Sequence, residues 1–368
     1  MRFIPVNAIR PGMVNAVPLY GSNQEVLLRE GIPLTESIIR HILLLGYNGI
    51  YVDYDPDSDK AYAGAIDAQL RIEAVRRIKK TFLSMEQGPS PQEAQRLKQA
   101  LSATLEQLLD ELLQNRHLMI NMIDLKVFDD YTYYHSVNVT VIALALGVCL
   151  DLPRPQLYKL GLASLLHDIG KIMIPRALLD KLGSLTPEEF DIMKGHSEEG
   201  YRYLKDIYDV PVSVYMAVRL HHEQFEGGGY PLGLRSGKIP LFSRLIAVAD
   251  VFDALTSDRV YRKALSPSDA AEYVMAQSGV MFDPLIVRAF QKKVAPYPVG
   301  SAVRLSDSRV GIVAENMEDF GLRPVVRIVK HETLLEAPYL LDLKDMDTMN
   351  VTVLGLYQDT DLTEIPVL

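Results

Sequence analysis

The sequence predicts a mainly α-helical protein, in which a helical core lies between a small β-rich N-terminal domain and a small β C-terminal domain. A chain of 368 residues is too long for one ordinary core. Helix-start signals concentrate between residues 124 and 295, while short alternating apolar segments lie before residue 60 and after residue 295. We therefore expect domains at 1–59, 124–295 and 296–368, joined by a helical linker at 60–123.

Composition narrows the class of protein. Hydrophobic residues make up 48% of the chain and charged residues 23%, which is the balance of a soluble globular protein. The net charge of −9 argues against a general nucleic-acid surface, although a local site with metal ions can still bind an anionic small molecule. The single cysteine, Cys149, excludes a disulfide framework. Since the N-terminus has no apolar leader and every apolar run looks too short for a membrane span, we expect a cytoplasmic protein.

The first 59 residues read as short strands around one helix. PGMVNAVPLY and QEVLLREG suggest strands joined by turns, and GIYVDY suggests a further strand. Between them, LTESIIRHILLLG predicts a short helix that begins after Thr35 and ends at Gly46. This region carries no recognisable chemistry.

The linker at 60–123 is predicted to be helical, with a break at GPSP, residues 88–91. In its second half, leucines recur at steps of four, four, three and four residues, which gives a narrow apolar stripe with polar flanks. The stripe consists of Leu97, Leu101, Leu105, Leu108 and Leu112. It fits two interpretations equally well: packing onto the next domain, or a short coiled coil that forms a homodimer and relays a signal.

Helix starts are well marked in the segment 124–295. TPEE at 186–189 contains a cap, a proline in the first turn and a capping-box acid in order, and SPSD at 266–269 opens another helix. The tail after residue 295 has a different pattern. In VGSAVRLSDSRVGIVAEN and RPVVRIVKHETLL, apolar and polar residues alternate as in short strands joined by turns. That alternation predicts the C-terminal β domain.

Five of the eight histidines and two aspartates make up the candidate chemical site. They lie near helix ends or on helix faces with apolar neighbours: His135, His167, Asp168, His196, His221, His222 and Asp250. For any one of them alone, ordinary core or helix contacts are the preferred explanation. Seven together suit a divalent metal, and a carboxylate in a run such as RLIAVADVFDAL is costly to bury without a partner.

Two adjacent pairs, His167-Asp168 and His221-His222, favour two metals over one. Neighbouring side chains on a helix point about 100° apart, so a single metal takes both members of a pair only with strain. Two metals a few ångströms apart can each take one member, with a carboxylate such as Asp168 bridging them. The hypothesis is a binuclear metal centre that also pins the helices together.

Five motifs in order resemble the HD-GYP family, a branch of the HD phosphohydrolase superfamily whose members hydrolyse cyclic di-GMP. The motifs are HSVNV at 135–139, HDIGK at 167–171, KGHSEEG at 194–200, HHE with GGGYP at 221–231, and ADVFDALTSDRVYR at 249–262. The resemblance covers about residues 125–295. It implies a helical HD-type bundle and a cyclic-guanylate-specific phosphodiesterase of bacterial second-messenger signalling.

The resemblance implies a ligand set for each metal. One metal would be held by His135, His167, Asp168 and Asp250, and the other by Asp168, His196, His221 and His222. Asp168 and a water or hydroxide would bridge the two ions. Iron or manganese is expected, and zinc or another divalent metal is the alternative.

Substrate contacts are implied in the same way. Lys171, Arg259 and Arg262 would bind substrate phosphate, and Tyr230 of the GYP loop would lie near the substrate and contact partner signalling proteins. Gly229 and its neighbours would let a bulky ligand approach the main chain. The alternative for the glycines is a plain turn that ends a helix.

Some relatives hold a third metal through a glutamate one helical turn before the first histidine. This chain has Tyr131 at that position, so two metals are expected, unless Asp129 or Asp130 substitutes.

The implied reaction is hydrolysis by a metal-activated water, with Asp168 and Lys171 as the catalytic residues. Water attacks the phosphorus in line and expels a ribose 3′-oxygen, which gives pGpG, and GMP if a second bond is cut. Two alternatives stay open. One is an HD phosphohydrolase for another nucleotide, and the other is an inactive sensor or scaffold that binds cyclic di-GMP or a protein. The complete ligand set and Lys171 speak against the second.

Overall fold

The structure, a computed structural model, has a mainly helical body and two small β units, which confirms the predicted fold class. It describes residues 2–5, 9–21, 25–45, 47, 49–53, 66, 68–117, 119–120, 131–179, 181, 183–207, 210–257, 264–297, 299–318 and 320–357.

The N-terminal unit combines two short antiparallel strand pairs with one helix. Its elements are β1 (Arg2–Pro5), β2 (Leu19–Tyr20), β3 (Val26–Leu28), α1 (Glu36–Leu44) and β4 (Gly49–Val52). β1 pairs with β4, and β2 pairs with β3. Thr35 caps α1, as predicted, because its hydroxyl accepts a hydrogen bond from the amide of Ile38 at 3.3 Å. A small core of its own, which includes Ile4, Leu34 and Ile50, holds the unit together.

The helical body follows. Its helices are α2 (Ala68–Glu86), α3 (Pro91–Gln114), α4 (Tyr131–Cys149), α5 (Arg154–Leu165), α6 (Arg176–Leu179), α7 (Pro187–Ile207), α8 (Val212–Leu220), α9 (Leu241–Leu255), α10 (Pro267–Ala276) and α11 (Pro284–Lys293). A 3₁₀ helix, Ile169–Met173, lies between α5 and α6. The capping box predicted for α7 is present: Thr186 accepts from the Glu189 amide at 3.3 Å, and the Glu189 carboxylate accepts from the Thr186 amide at 2.7 Å.

Helix α4 runs through the centre of this body and packs against α2, α3, α5, α9 and α11. Its window Thr132–Cys149 has a mean hydropathy of 1.3, so it is long and apolar enough to cross a membrane, yet 83% of that window is buried inside the protein. The expectation that every apolar run falls short of a membrane span is corrected here. Packing on several sides accounts for the composition of α4, since a helix buried all round is apolar all round.

The leucine stripe of the linker lies on the inner face of α3. All five leucines are at most 6% exposed, and all but Leu97 belong to the same hydrophobic core as α4 and α9. A Cβ atom added to Gly161 of α5 would clash with Leu105, so α3 and α5 are in close contact. The coiled-coil interpretation is therefore wrong for this stripe, and the expected homodimer through it loses its basis, because the chain's own helices cover the leucines.

The C-terminal unit is a five-stranded antiparallel sheet, with the strand order β8-β7-β6-β5-β9. Its strands are β5 (Ala302–Leu305), β6 (Val310–Glu315), β7 (Val325–His331), β8 (Thr333–Asp342) and β9 (Val353–Leu356). Alternate residues such as Val303, Leu305 and Val326 point into a separate small core. The alternation read from the tail sequence thus matches the strands that form.

Replacing Leu105 by alanine is expected to lower the free energy of unfolding by about 2–5 kcal/mol, because it leaves a cavity between α3 and α5. Thermal or chemical denaturation measures the loss. Leu83→Ala is the matched control, since Leu83 is 38% exposed on α2 and should cost much less. A Leu105→Ala protein of normal stability that dissociates from a dimer to a monomer would instead put this leucine at a subunit interface.

Candidate active site

Seven side chains from five parts of the helical body converge on one buried centre. His135 lies near the start of α4, His196 lies in α7 and Asp250 lies in α9. The His167-Asp168 pair follows the end of α5, and the His221-His222 pair follows the end of α8. All except His222, which is partly exposed, have exposures of 9% or less. The structure therefore brings together all the residues predicted as metal ligands.

Three of the histidines are oriented by backbone carbonyls. Nδ1 of His167, His196 and His221 each lies 2.7 Å from the carbonyl oxygen of the residue three positions earlier. Two of these carbonyls belong to the last turns of α5 and α8, where carbonyls lack a partner within the helix. Since Nδ1–H donates to a carbonyl, the Nε2 atom of each ring is left to face the centre.

His135 is oriented by a carboxylate that the sequence analysis did not single out. Its Nδ1 lies 2.7 Å from Asp253 Oδ2, and Asp253 Oδ1 accepts a hydrogen bond from Asn138 Nδ2 at 2.9 Å. Asp253 is fully buried and follows Asp250 by three residues, so both acids lie on one face of α9. The spacing of three residues between the two aspartates of DVFDAL is the sequence feature that could have identified Asp253.

The Asp168 carboxylate lies between two groups of imidazoles. Its Oδ2 is 3.4 Å from His167 Nε2 and 3.7 Å from His135 Nε2. Its other oxygen, Oδ1, is 3.5 Å from His196 Nε2. The two oxygens of one side chain thus face different sets of nitrogen atoms.

The remaining contacts complete the two groups. His135 Nε2 lies 3.0 Å from Asp250 Oδ1, and His196 Nε2 lies 3.1 Å from His222 Nε2. Ligand atoms fall within 4.8 Å of one another in three sets: His135 with His167 and Asp250; His196 with His221 and His222; and His167 with Asp168 and His221.

These residues fit divalent metal ions. Among the described residues, the Nε2 atoms of His167 and His221 are buried and lack a hydrogen-bond partner. Leaving such atoms unpaired in a core is costly, and a cation among them removes that cost. Imidazole nitrogens with carboxylate oxygens are the donor set of borderline metals such as iron, manganese and zinc.

The protonation of His135 is set by its two carboxylate neighbours. Burial by itself lowers the pKa of this imidazole, but its hydrogen bonds to Asp250 and Asp253 outweigh burial and raise the pKa to about 9. The metal-free protein therefore holds His135 as a cation at neutral pH.

The pKa values of three other imidazoles are lowered. Burial, followed by repulsion from His196, lowers the pKa of His222 to about 3. Burial also lowers the pKa of His196, and it lowers that of His221 well below its ordinary value. These rings are neutral at pH 7, as metal ligands must be.

The two acids are ionised in spite of their burial. Burial raises the pKa of Asp168, but the charges of Lys171 and His167 outweigh it and hold the pKa well below its usual range. Burial is likewise outweighed at Asp250 by its hydrogen bond with His135, which keeps the pKa of Asp250 well below the ordinary value.

A glycine sets the distance between the 3₁₀ helix and α7. A Cβ atom added to Gly170 would overlap the carbonyl oxygen of His196, so only glycine lets the two backbones approach this closely. The approach brings Asp168 beside His196, and Lys171 reaches Asp168 Oδ2 with its ammonium at 2.5 Å. Gly170 in HDIGK is thus a structural requirement that the sequence analysis did not identify.

The GYP loop folds back over the end of α8. The Tyr230 ring stacks on His222, with ring centres 4.6 Å apart and 28° between their planes. A Cβ atom on Gly229 would collide with the backbone of Glu223 and Gln224, so the glycine serves close packing. The Glu223 carboxylate, which is 3% exposed, holds the returning chain through the amides of Leu232 and Leu234, at 2.7 and 2.8 Å.

Arg259, Arg262, Asp129 and Asp130 lie outside the described residues, as does the side chain of Tyr131.

Comparison with known proteins gives a family match and several relatives. Residues 107–286 match the family model described as HD domain. A cyclic di-GMP phosphodiesterase of Pseudomonas aeruginosa is 41% identical over 238 residues, which cover 63% of this chain and 57% of that protein. A cyclic di-GMP phosphodiesterase response regulator of Xanthomonas campestris pv. campestris is 44% identical over 142 residues, 38% of this chain and 37% of that protein.

A relative with a different named substrate also matches. A 3′3′-cGAMP-specific phosphodiesterase of Vibrio cholerae serotype O1 is 37% identical over 158 residues, which cover 43% of this chain and 36% of that protein. The chain spans 57% or less of the length of each of these three relatives.

In protein stripped of metal, the His135 ring is expected to lose its proton near pH 9, whereas His222 stays neutral down to about pH 3. Because the folded pKa of His135 is raised from 6.5, its contribution to stability is complete below pH 6.5 and is lost as the pH rises through about 9. Ring-nitrogen NMR measures both titrations. Asp253→Asn should move the His135 titration to lower pH, and an unchanged titration would show that Asp253 does not hold the ring.

Proposed function

We propose that the protein is a metal-dependent phosphodiesterase that hydrolyses cyclic di-GMP, and that residues 107–286, which match the HD domain model, form its catalytic domain. One observation carries the proposal: Asp168 presents one oxygen to His135 and His167 and the other to His196. A carboxylate between two sets of imidazole nitrogens is the arrangement expected of a bridging ligand in a two-metal hydrolase. The single cysteine, Cys149, fits the reducing cytoplasm, where we place the protein.

We assign the ligands to two divalent ions, with iron or manganese as the expected metals. His135, His167, Asp168 and Asp250 would hold one ion, and Asp168, His196, His221 and His222 would hold the other. The proximity of donor atoms within these sets supports the assignment. When bound, the ions would lower the pKa of a water molecule and draw negative charge away from the phosphoryl group.

The chain's own residues orient and neutralise the reacting groups. Water adds to phosphorus, the bond from phosphorus to the ribose 3′-oxygen breaks, and that oxygen leaves with a proton, so the product is pGpG, and GMP if the second bond is also cut. Lys171, whose ammonium lies beside Asp168, would bind a phosphoryl oxygen and stabilise the charge that grows on it. We propose the same role for the guanidinium groups of Arg259 and Arg262. Tyr230, stacked on His222, would form the wall of the substrate site.

The relatives favour a cyclic dinucleotide as substrate. Two of those described are named for cyclic di-GMP, and one is named for 3′3′-cGAMP, so a cyclic dinucleotide with an adenine base is the second candidate. The test is a hydrolysis assay of anaerobically purified protein, loaded with Fe²⁺ or Mn²⁺, against both dinucleotides and a panel of mononucleotides. Cleavage of cyclic di-GMP to pGpG is the expected result. Tight binding without cleavage under every metal condition would contradict the proposal and indicate a sensor or scaffold.

Asp168→Ala is expected to abolish hydrolysis and to reduce bound metal, because one side chain serves both ions. Elemental analysis beside the activity assay measures the two effects. Asp206→Ala is the matched control, since Asp206 is an exposed aspartate of α7. Full turnover by the Asp168 variant would end the bridging assignment.

Lys171→Met is expected to keep its metal and to lose substrate affinity or rate by about 10- to 100-fold, the range for one charge-assisted contact to a phosphate. The lysine ammonium lies 2.5 Å from a ligand oxygen, so its removal takes away a repelling charge, and metal should bind at least as tightly. Loss of metal from this variant would mean that Lys171 organises the centre and does not bind substrate.

A further inference from the structure

Aromatic and cationic side chains form a ladder that leads from the histidine cluster to the surface. It begins at His222, on which Tyr230 stacks with ring centres 4.6 Å apart. The Lys194 ammonium lies 5.9 Å from the Tyr230 ring centre and 4.8 Å from the Phe190 ring centre. Phe190 is the outermost member and is 46% exposed. We call these four residues the aromatic ladder.

The ladder is more than a stabilising pair on a helix surface. Phe190 and Lys194 are four residues apart on α7, and such a pair by itself would do no more than stabilise the helix. Tyr230, however, comes from the GYP loop and lies against the metal-binding histidine His222. The aromatic surface is therefore continuous with the site in which the phosphodiester would react.

The Lys194 ammonium can exchange its present partner for a ligand. It lies 2.7 Å from Asp191 Oδ1, and the two side chains are 35% and 72% exposed. An exposed ion pair of this kind is held weakly, because water competes for both charges. The reaction assigned to the metal centre does not use this lysine.

An aromatic face beside a cationic donor suits a purine base. Bases stack on aromatic side chains through a π-face that every base has, and the ammonium is a donor only. Guanine presents two acceptors, O6 and N7, on the edge that lysine recognises, whereas adenine presents N7 beside a donating amino group. A lysine at this position favours guanine over adenine.

Resting on the proposed function, we propose that the aromatic ladder is the subsite for a guanine base of the cyclic dinucleotide. Phe190 stacks on the base, and Lys194 donates to its O6 and N7. Lys194 is then the residue that selects cyclic di-GMP over cyclic dinucleotides with adenine, while the metal centre and Lys171 act on the phosphate.

Lys194→Met tests the selection, since methionine keeps the aliphatic chain and removes the donor. The measurement is kcat/KM for cyclic di-GMP, 3′3′-cGAMP and cyclic di-AMP, together with bis(p-nitrophenyl) phosphate, which has no base. The ratio of cyclic di-GMP to cyclic di-AMP is expected to fall roughly 5- to 100-fold, which corresponds to one good base contact. Turnover of bis(p-nitrophenyl) phosphate and the metal content should stay unchanged.

Lys205→Met is the matched control. Lys205 is also on α7, with its ammonium 5.5 Å from the ring centre of Tyr201, which lies outside the ladder. This variant should leave every ratio as in the wild type.

Phe190→Ala tests the stacking half of the proposal. It is expected to raise KM for all the cyclic dinucleotides by roughly 5-fold or more, because stacking is indifferent to the identity of the base. Ile192→Ala is its control, since Ile192 is 50% exposed, lies two residues away and has no part in the ladder.

Two results would overturn the guanine subsite: an unchanged ratio in Lys194→Met, or an equal loss on all four substrates, which would place the lysine at the phosphate. A wild-type protein that cleaves none of the dinucleotides defeats the proposed function instead. In that case, calorimetric binding of cyclic di-GMP and cyclic di-AMP to the wild type and to Lys194→Met still decides the subsite. Equal binding preferences in the two proteins would reject it.

Discussion

The burial of charged and unpaired polar atoms in a helical core is the constraint on which the rest of the structure depends. Asp168 is 2% exposed and Asp250 is 9% exposed, and both are ionised. The Nε2 atoms of His167 and His221 are buried beside them without a hydrogen-bond partner in the described part of the chain. Such an arrangement opposes folding unless cations occupy it. We therefore regard the metal centre as part of the core and not as an addition to a finished fold.

The fold supplies the rigidity that such a centre needs. α4 carries His135 and packs on five neighbouring helices, and the 3₁₀ helix that begins after Asp168 lies against α7 at the distance that Gly170 allows. Three imidazoles are fixed by carbonyls of their own chain segments, and His135 is fixed by Asp253. Each of these four imidazoles is thus held by a second contact, which is how proteins orient metal ligands before a metal binds.

The sequence was sufficient to predict what depends on residue chemistry and local pattern. Histidines and aspartates in apolar helices are unusual enough to select the seven candidate ligands that the structure brings together, and the caps predicted at Thr35 and Thr186 are those that form. A periodic stripe, in contrast, reveals which face of a helix is apolar but not what covers it. The leucines of α3 could have faced a second copy, but in the structure they are buried, and Leu105 lies against Gly161 of α5.

Contacts between distant segments were beyond the sequence. Residue type alone does not distinguish Asp253 and Glu223 from other acids. In the fold, Asp253 lies beside His135, and Glu223 accepts hydrogen bonds from the chain that follows Tyr230. The need for glycine at position 170 likewise becomes visible only when α7 is seen to pack against it. Residues whose role lies in positioning others are common types, so nothing in their identity distinguishes them.

Anomalous diffraction from crystals of anaerobically purified protein, recorded at the absorption edge of the bound metal, measures the central claim directly. We expect two peaks, one among His135, His167 and Asp250 and the other among His196, His221 and His222, with the Asp168 carboxylate between them. A single peak, or metal bound elsewhere while these side chains stay unliganded, would contradict the account.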